Sequence, residues 1–156
     1  MNENAFLAIF HFLFIGMWLS VTAFMAAFSG IGELARRYPD RPEQQPWRTL
    51  RFQSGQIGRF MVTGVNYGSC LRFDVCPAGL RIRIWRLFAP FSAPCLVPWD
   101  AISVEKRPIF SLPFTFARRY RLSFGNPPLG PLSISGRAAR RIAEASNGLF
   151  RLPEEP

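Results

Sequence analysis

The chain has 156 residues and a formal net charge of +9, with nineteen Lys and Arg against ten Asp and Glu, and every cation except Lys106 is an arginine. That length suits one small domain beside a membrane segment and leaves no room for two. A hydrophobic content of 49% excludes disorder over most of the chain, and the basic balance fits a nucleic-acid partner, an anionic membrane surface or simply an Arg-rich protein.

The first element is the run Ala5 to Phe28, AFLAIFHFLFIGMWLSVTAFMAAF, which holds no Asp, Glu, Lys or Arg. As a helix it covers roughly 36 Å at about 1.5 Å per residue, against about 30 Å of bilayer hydrocarbon. The spacing predicts a transmembrane helix over 5–28. Glu3 is the only charged side chain before it, and Ala26-Ala27-Phe28-Ser29-Gly30 is a poor cleavage site, so a retained anchor is expected rather than a signal peptide. No basic residue precedes the run, whereas Arg36, Arg37 and Arg41 follow it closely. By the positive-inside rule the N-terminus lies outside and the C-terminal domain in the cytoplasm, with these three arginines at the lipid phosphates. Within the run, His11 has no carboxylate partner, and Gly16 and Ser20 form a small-xxx-small pair. Packing of this helix on another is the expected use of His11, Gly16 and Ser20.

Residues 29–46 read as a juxtamembrane turn, a short helix with Leu34 and Tyr38 on one side, and a Pro-rich linker, PDRPEQQP, of semi-extended chain. Folding is expected to resume at Trp47, and the β domain to span 47–150. A first strand is predicted over Gln56 to Gly64 through Ile57, Phe60 and Val62. Tyr67 to Cys76 alternates more clearly, with Leu71, Phe73 and Val75 on one face and Cys70, Arg72 and Asp74 on the other. After the turn Pro77-Ala78-Gly79, Leu80 to Leu87 sets Leu80, Ile82 and Ile84 against Arg81 and Arg83, which predicts a hairpin.

Cys95 to Trp99 and Ala101 to Arg107 follow as short strands around the corner Pro98-Trp99-Asp100. Phe110 to Phe116, broken by Pro113, reads as an edge strand or a covering loop. Arg118 to Phe124 alternates again, and Pro131 to Ile134 is the last strand. Ser135 is an N-cap for a helix over 136–146 that turns Ala138, Ala139, Ile142 and Ala145 inward and Arg137, Arg140, Arg141 and Glu144 outward. Residues 151–156 form a tail.

This order of short strands with hairpin turns, closed by one helix, is that of the pleckstrin-homology-like superfold. The stretch Gly79 to Arg107, with its corner Val97-Pro98-Trp99-Asp100-Ala101-Ile102, resembles bacterial PH/GRAM-like domains. With the span and the turn Leu34-Ala35-Arg36-Arg37-Tyr38-Pro39, the chain resembles uncharacterised single-span bacterial membrane proteins. The fold class implied is an N-terminal transmembrane helix and a mainly antiparallel β domain, a bent sheet or partly open barrel capped by a C-terminal helix. The location implied is the inner membrane.

Catalytic chemistry finds little support. No His follows His11, which removes Ser-His-Asp and Cys-His arrangements and imidazole metal sites. The carboxylates are scattered, and no phosphate-binding loop, nucleophile elbow or metal motif occurs. Neither an enzyme nor a cofactor is expected. Cys70, Cys76 and Cys95 lack metal-site spacing and read as free thiols, with a Cys70 to Cys76 disulfide as the minority reading. Phe73, Tyr120 and Phe124 alternate away from the nearby arginines, so nucleic acid is not an expected partner.

The expected binding surface comprises Phe88, Phe91, Trp99, Phe110, Phe114, Arg118 and Arg119. The expected function is a membrane-anchored, non-enzymatic module whose cytoplasmic domain binds a protein partner or anionic lipid headgroups. The alternative is a structural subunit of a larger membrane complex, recruited through its helix.

Overall fold

The structure is a computed structural model and describes residues 2–58, 64–107 and 119–153. Helix α1 (Glu3–Ser29) contains the predicted run and is long and apolar enough to cross a membrane, with a mean hydropathy of 2.0. Most of its side chains face outward, which is the arrangement lipid would cover. Gly30 ends α1 at φ +73°, a left-handed conformation that glycine adopts without a Cβ clash, and α2 (Ile31–Arg37) begins at once.

Seven strands follow among the described residues: β1 (Arg48–Ile57), β2 (Val65–Cys76), β3 (Gly79–Ile84), β4 (Cys95–Pro98), β5 (Ile102–Arg107), β6 (Arg119–Phe124) and β7 (Leu129–Ser135). Helix α3 (Gly136–Ala145) ends the fold. All pairs are antiparallel, in the order β4-β3-β2-β1-β7-β6-β5. The two edge strands are consecutive in sequence and share the 3-10 turn Trp99–Ala101, so the sheet is nearly closed.

The hairpin forms as predicted, with Cys76 opposite Gly79, Val75 opposite Leu80 and Phe73 opposite Ile82. These apolar residues join Leu122, Phe124, Leu132 and Ile134 in one core. Ser135 caps α3 by accepting from the Ala138 amide at 3.2 Å, and the helix buries Ala138, Ala139 and Ile142. Asn147 and Gly148 both turn left-handed just beyond it. Phe150 packs back on Trp99, whose indole N–H donates to the Cys76 carbonyl at 3.1 Å.

The first strand begins earlier than its pattern predicts. Only Gln56 and Ile57 fall both in β1 and in the predicted segment, and residues 59–63 lie outside the described residues. The signal fails because β1 is bulged and its inner face is small. A Cβ on Gly55 would lie 2.8 Å from Leu71 Cδ1 and 3.1 Å from Leu132 Cδ1, so no larger side chain marks that position.

The segment after α1 is also more than a spacer. Ile31 and Leu34 are buried in the domain core at 1% and 2% exposure. Pro39 bridges to Cys95, and the Leu96 amide donates to the Tyr38 carbonyl, so residues 38–39 cover the open side of β4. Asp40 pairs with Arg81 at 2.5 Å, and Arg81 also donates to the carbonyls of Arg41 and Gln44.

The outer face of the hairpin is therefore not wholly solvated. Asp74 and Arg81, expected there, are both buried. The carboxylate–guanidinium pairs and the strap 39–46 take the place of water.

Because Leu34 belongs to the core, Leu34→Ala is expected to cost about 2–5 kcal/mol in denaturant unfolding of the detergent-solubilised protein. A cost near zero would show that α2 does not belong to the domain core.

Candidate functional site

Two distortions face each other across β1 and β2. The β1–β2 register shifts between Leu50 and Gln53 and again before Gly55. Phe52 and Ser69 take φ +55° and +54°, a region non-glycine residues seldom enter. The Ser69 amide donates to the Ser54 hydroxyl of β1 at 2.9 Å, and Gln53 Nε2 donates to the Arg51 carbonyl at 2.7 Å. Such conformations cost on the order of 1–3 kcal/mol each and persist only where the surrounding structure enforces them. Here Phe52 is left 69% exposed, so no core burial offsets the cost.

Beside this bulge lies a pocket of about 580 Å³, in the size range of small-molecule sites. Arg51 and Phe52 of β1, Arg72 of β2, Arg83 of β3, and Trp85 and Arg86 just past β3 line it. The β2–β3 register places Arg72 directly opposite Arg83, and Asp74 opposite Arg81. Like charges facing each other across strands repel. Asp74 relieves this by taking Arg72 Nε at 2.8 Å and the Thr49 hydroxyl at 2.7 Å on its Oδ1.

Arg83 is held more loosely, 3.3 Å from Asp40 and 3.6 Å from Asp74 Oδ2. Both Arg83 Nε and Asp74 Oδ2 are buried without a hydrogen-bond partner among the described residues. Arg51 and Arg86 are exposed and have no carboxylate partner among the described residues. The pocket thus holds more guanidinium than carboxylate, with donors free to take an anion. Arg–phosphate contacts are commonly bidentate, which suits oxyanions bearing several oxygens.

Cys70 also lines the pocket, and its thiol donates to the Gly68 carbonyl at 2.9 Å. Burial pushes its pKa up, so the neighbouring arginines do not activate it as a nucleophile. Burial likewise raises Cys76 and pushes Cys95 up to about 12. All three cysteines are free thiols. Among the described residues no group of three or more His, Cys, Asp or Glu converges to hold a metal. What the pocket offers chemically is anion binding between aromatic walls.

The residues singled out in the sequence are dispersed. Phe88 and Phe91 lie on the loop after β3, 42% and 61% exposed, with the Phe88 ring tilted against Trp85 at 5.6 Å. Trp99 sits at the β4–β5 corner as a packing residue. Arg119 begins β6, paired across the ladder with Arg107 and Ser135. Phe110, Phe114 and Arg118 lie outside the described residues. Arg36, Arg37 and Arg41 are exposed along the segment that follows α1.

In α1, His11 Nδ1 lies 2.6 Å from the Leu7 carbonyl oxygen, and the Ser20 hydroxyl donates to the Gly16 carbonyl at 2.8 Å, so each makes a contact within the helix itself. No heavy atom lies near the position a Gly16 Cβ would take.

Sequence reasoning overlooked Arg51, Phe52, Arg72, Trp85 and Arg86. One signal was present: a hairpin turning at Pro77-Ala78 already sets Arg72 opposite Arg83. Nothing in the pattern announced the bulge that adds Arg51 and Phe52. No family model, no curated protein and no solved structure matches the chain.

Alkylation of the detergent-solubilised protein should modify one thiol, Cys70, and all three only after denaturation. Its rate should rise with pH from a low value near neutrality, following the thiolate fraction. Fast reaction near neutral pH would mean that the arginines activate Cys70 after all.

Proposed function

We propose that this protein is a single-span membrane module whose β domain has the pleckstrin-homology-like fold and binds anionic phosphate-bearing lipid headgroups, without catalysing a reaction. Seven antiparallel strands followed by one helix support the fold reading. The apolar α1, with Arg36, Arg37 and Arg41 following it and no basic residue before it, supports insertion in the inner membrane with the domain in the cytoplasm.

The observation that carries the binding reading is where the arginine pocket lies relative to α1. Tyr67 of β2 is buried beside Ser29, the last residue of α1. Cys70 lines the pocket three residues further along β2, roughly 10 Å at the rise of a strand. A site so close to the end of the span meets lipid phosphates before any soluble ligand. Four converging guanidinium groups suit those phosphates, and the pocket is of headgroup size.

The test uses the full chain in nanodiscs of phosphatidylcholine with increasing phosphatidylglycerol, reading Cys70 alkylation by a neutral maleimide. The rate is expected to fall several-fold as phosphatidylglycerol rises. Arg51→Gln/Arg86→Gln should lose most of this protection while keeping the part that arises from the lower pH at an anionic surface. Equal behaviour of variant and wild type would remove the headgroup reading. For orientation, an impermeant thiol reagent is expected to reach Cys70 only after cells are permeabilised, and labelling of intact cells would reverse the assignment.

A further inference from the structure

Two aromatic residues that line the pocket are exposed, Phe52 at 69% and Trp85 at 55%. Phe88 and Phe91, on the loop that follows Trp85, are 42% and 61% exposed. Phe52 and Trp85 meet edge to face at 6.4 Å, and Trp85 continues to Phe88 at 5.6 Å, so these three rings form one ridge. Two of the pocket's arginines are chain neighbours of ridge aromatics, in the pairs Arg51-Phe52 and Trp85-Arg86. The φ of +55° at Phe52 is spent on a ring that the domain core does not use.

We propose that this ridge enters the interface of the bilayer that α1 crosses, giving the β domain a second attachment to the same membrane. The inference rests on the headgroup-binding reading and adds to it an inserted apolar surface. Charge and position favour lipid as the occupant. Aromatic rings settle at the level of the headgroups, while arginine side chains beside them extend to the phosphates. The excess of guanidinium in the adjoining pocket complements an anionic leaflet. The end of α1 lies roughly 10 Å from the pocket wall along β2, so the tether holds the ridge at a high effective concentration of bilayer. With two points of contact the domain lies on the membrane surface.

The experiment places an environment-sensitive fluorophore at position 91 of the full chain, as Phe91→Cys in a Cys70→Ser background, since Cys76 and Cys95 are buried. A second protein carries the label as Glu105→Cys on the exposed edge of β5. Both are reconstituted in vesicles of phosphatidylcholine and phosphatidylglycerol. The probe at 91 is expected to be shielded several-fold from aqueous iodide relative to the probe at 105, and quenched by lipid bearing a nitroxide near the top of its acyl chain. The triple variant Phe52→Ser/Trp85→Ser/Phe88→Ser should lose both effects while Cys76 and Cys95 stay unreactive, which shows that it still folds.

Equal iodide access at 91 and 105, or shielding at 91 without nitroxide quenching, would overturn the proposal, the second outcome meaning that protein covers the ridge. An aqueous probe at 91 together with intact phosphatidylglycerol protection of Cys70 would sink the inserted ridge alone. Loss of both would remove the headgroup reading with it.

Discussion

Arg81 places its guanidinium in a site only 3% exposed, and much of the domain follows from how that charge is answered. A buried cation left without partners costs several kcal/mol, so its neighbours must bring acceptors to it. They all come from the segment that follows α1: the Asp40 carboxylate at 2.5 Å and the carbonyls of Arg41 and Gln44 at 2.5 and 3.0 Å. This ties residues 40–44 to β3. Pro39 meets Cys95 just before them, so the same strap covers the edge of the sheet. With Ile31 and Leu34 already in the core, no free spacer separates α1 from the domain.

The same ladder grades the electrostatics of the outer face. Near the hairpin turn, Arg81 makes three hydrogen bonds to the strap. Two ladder pairs further on, Arg72 holds Asp74 at 2.8 Å. Arg83 is left with contacts of 3.3 and 3.6 Å to carboxylates already committed elsewhere. Arg51 and Arg86 lie past the reach of either. Positive charge is thus neutralised where the strap lies and unanswered where the pocket opens. A hairpin with evenly paired charges would have had no such end. The bulge at Phe52 and Ser69 coincides with the under-paired end and joins β1 to the site.

Much of the domain was legible because its elements are locally specified. The β2–β3 hairpin carries its own turn and two clean alternations, and Ser135 announces α3 through the side chain that caps it. Both predictions rest on interactions within a few residues. β1 failed because its signals are not local: Gly55 is small to make room for Leu71 and Leu132, and Phe52 points outward because the strand is bulged. The site was legible only in fragments. Phe88 and Phe91 stood out as aromatics on a loop, whereas Arg72 and Arg83 were read as separate faces of two strands although their hairpin pairs them.

By itself the sequence determined the long apolar helix, the hairpin, the capped helix and the excess of arginine, because each depends on composition or on spacing along the chain. Tertiary structure alone decided that α2 and the strap belong to the domain, and that Asp74 and Arg81 are buried. It also decided which arginines converge. The physical reason is that burial and charge pairing depend on residues such as Asp40 and Arg81, far apart in sequence and brought together only when the sheet closes.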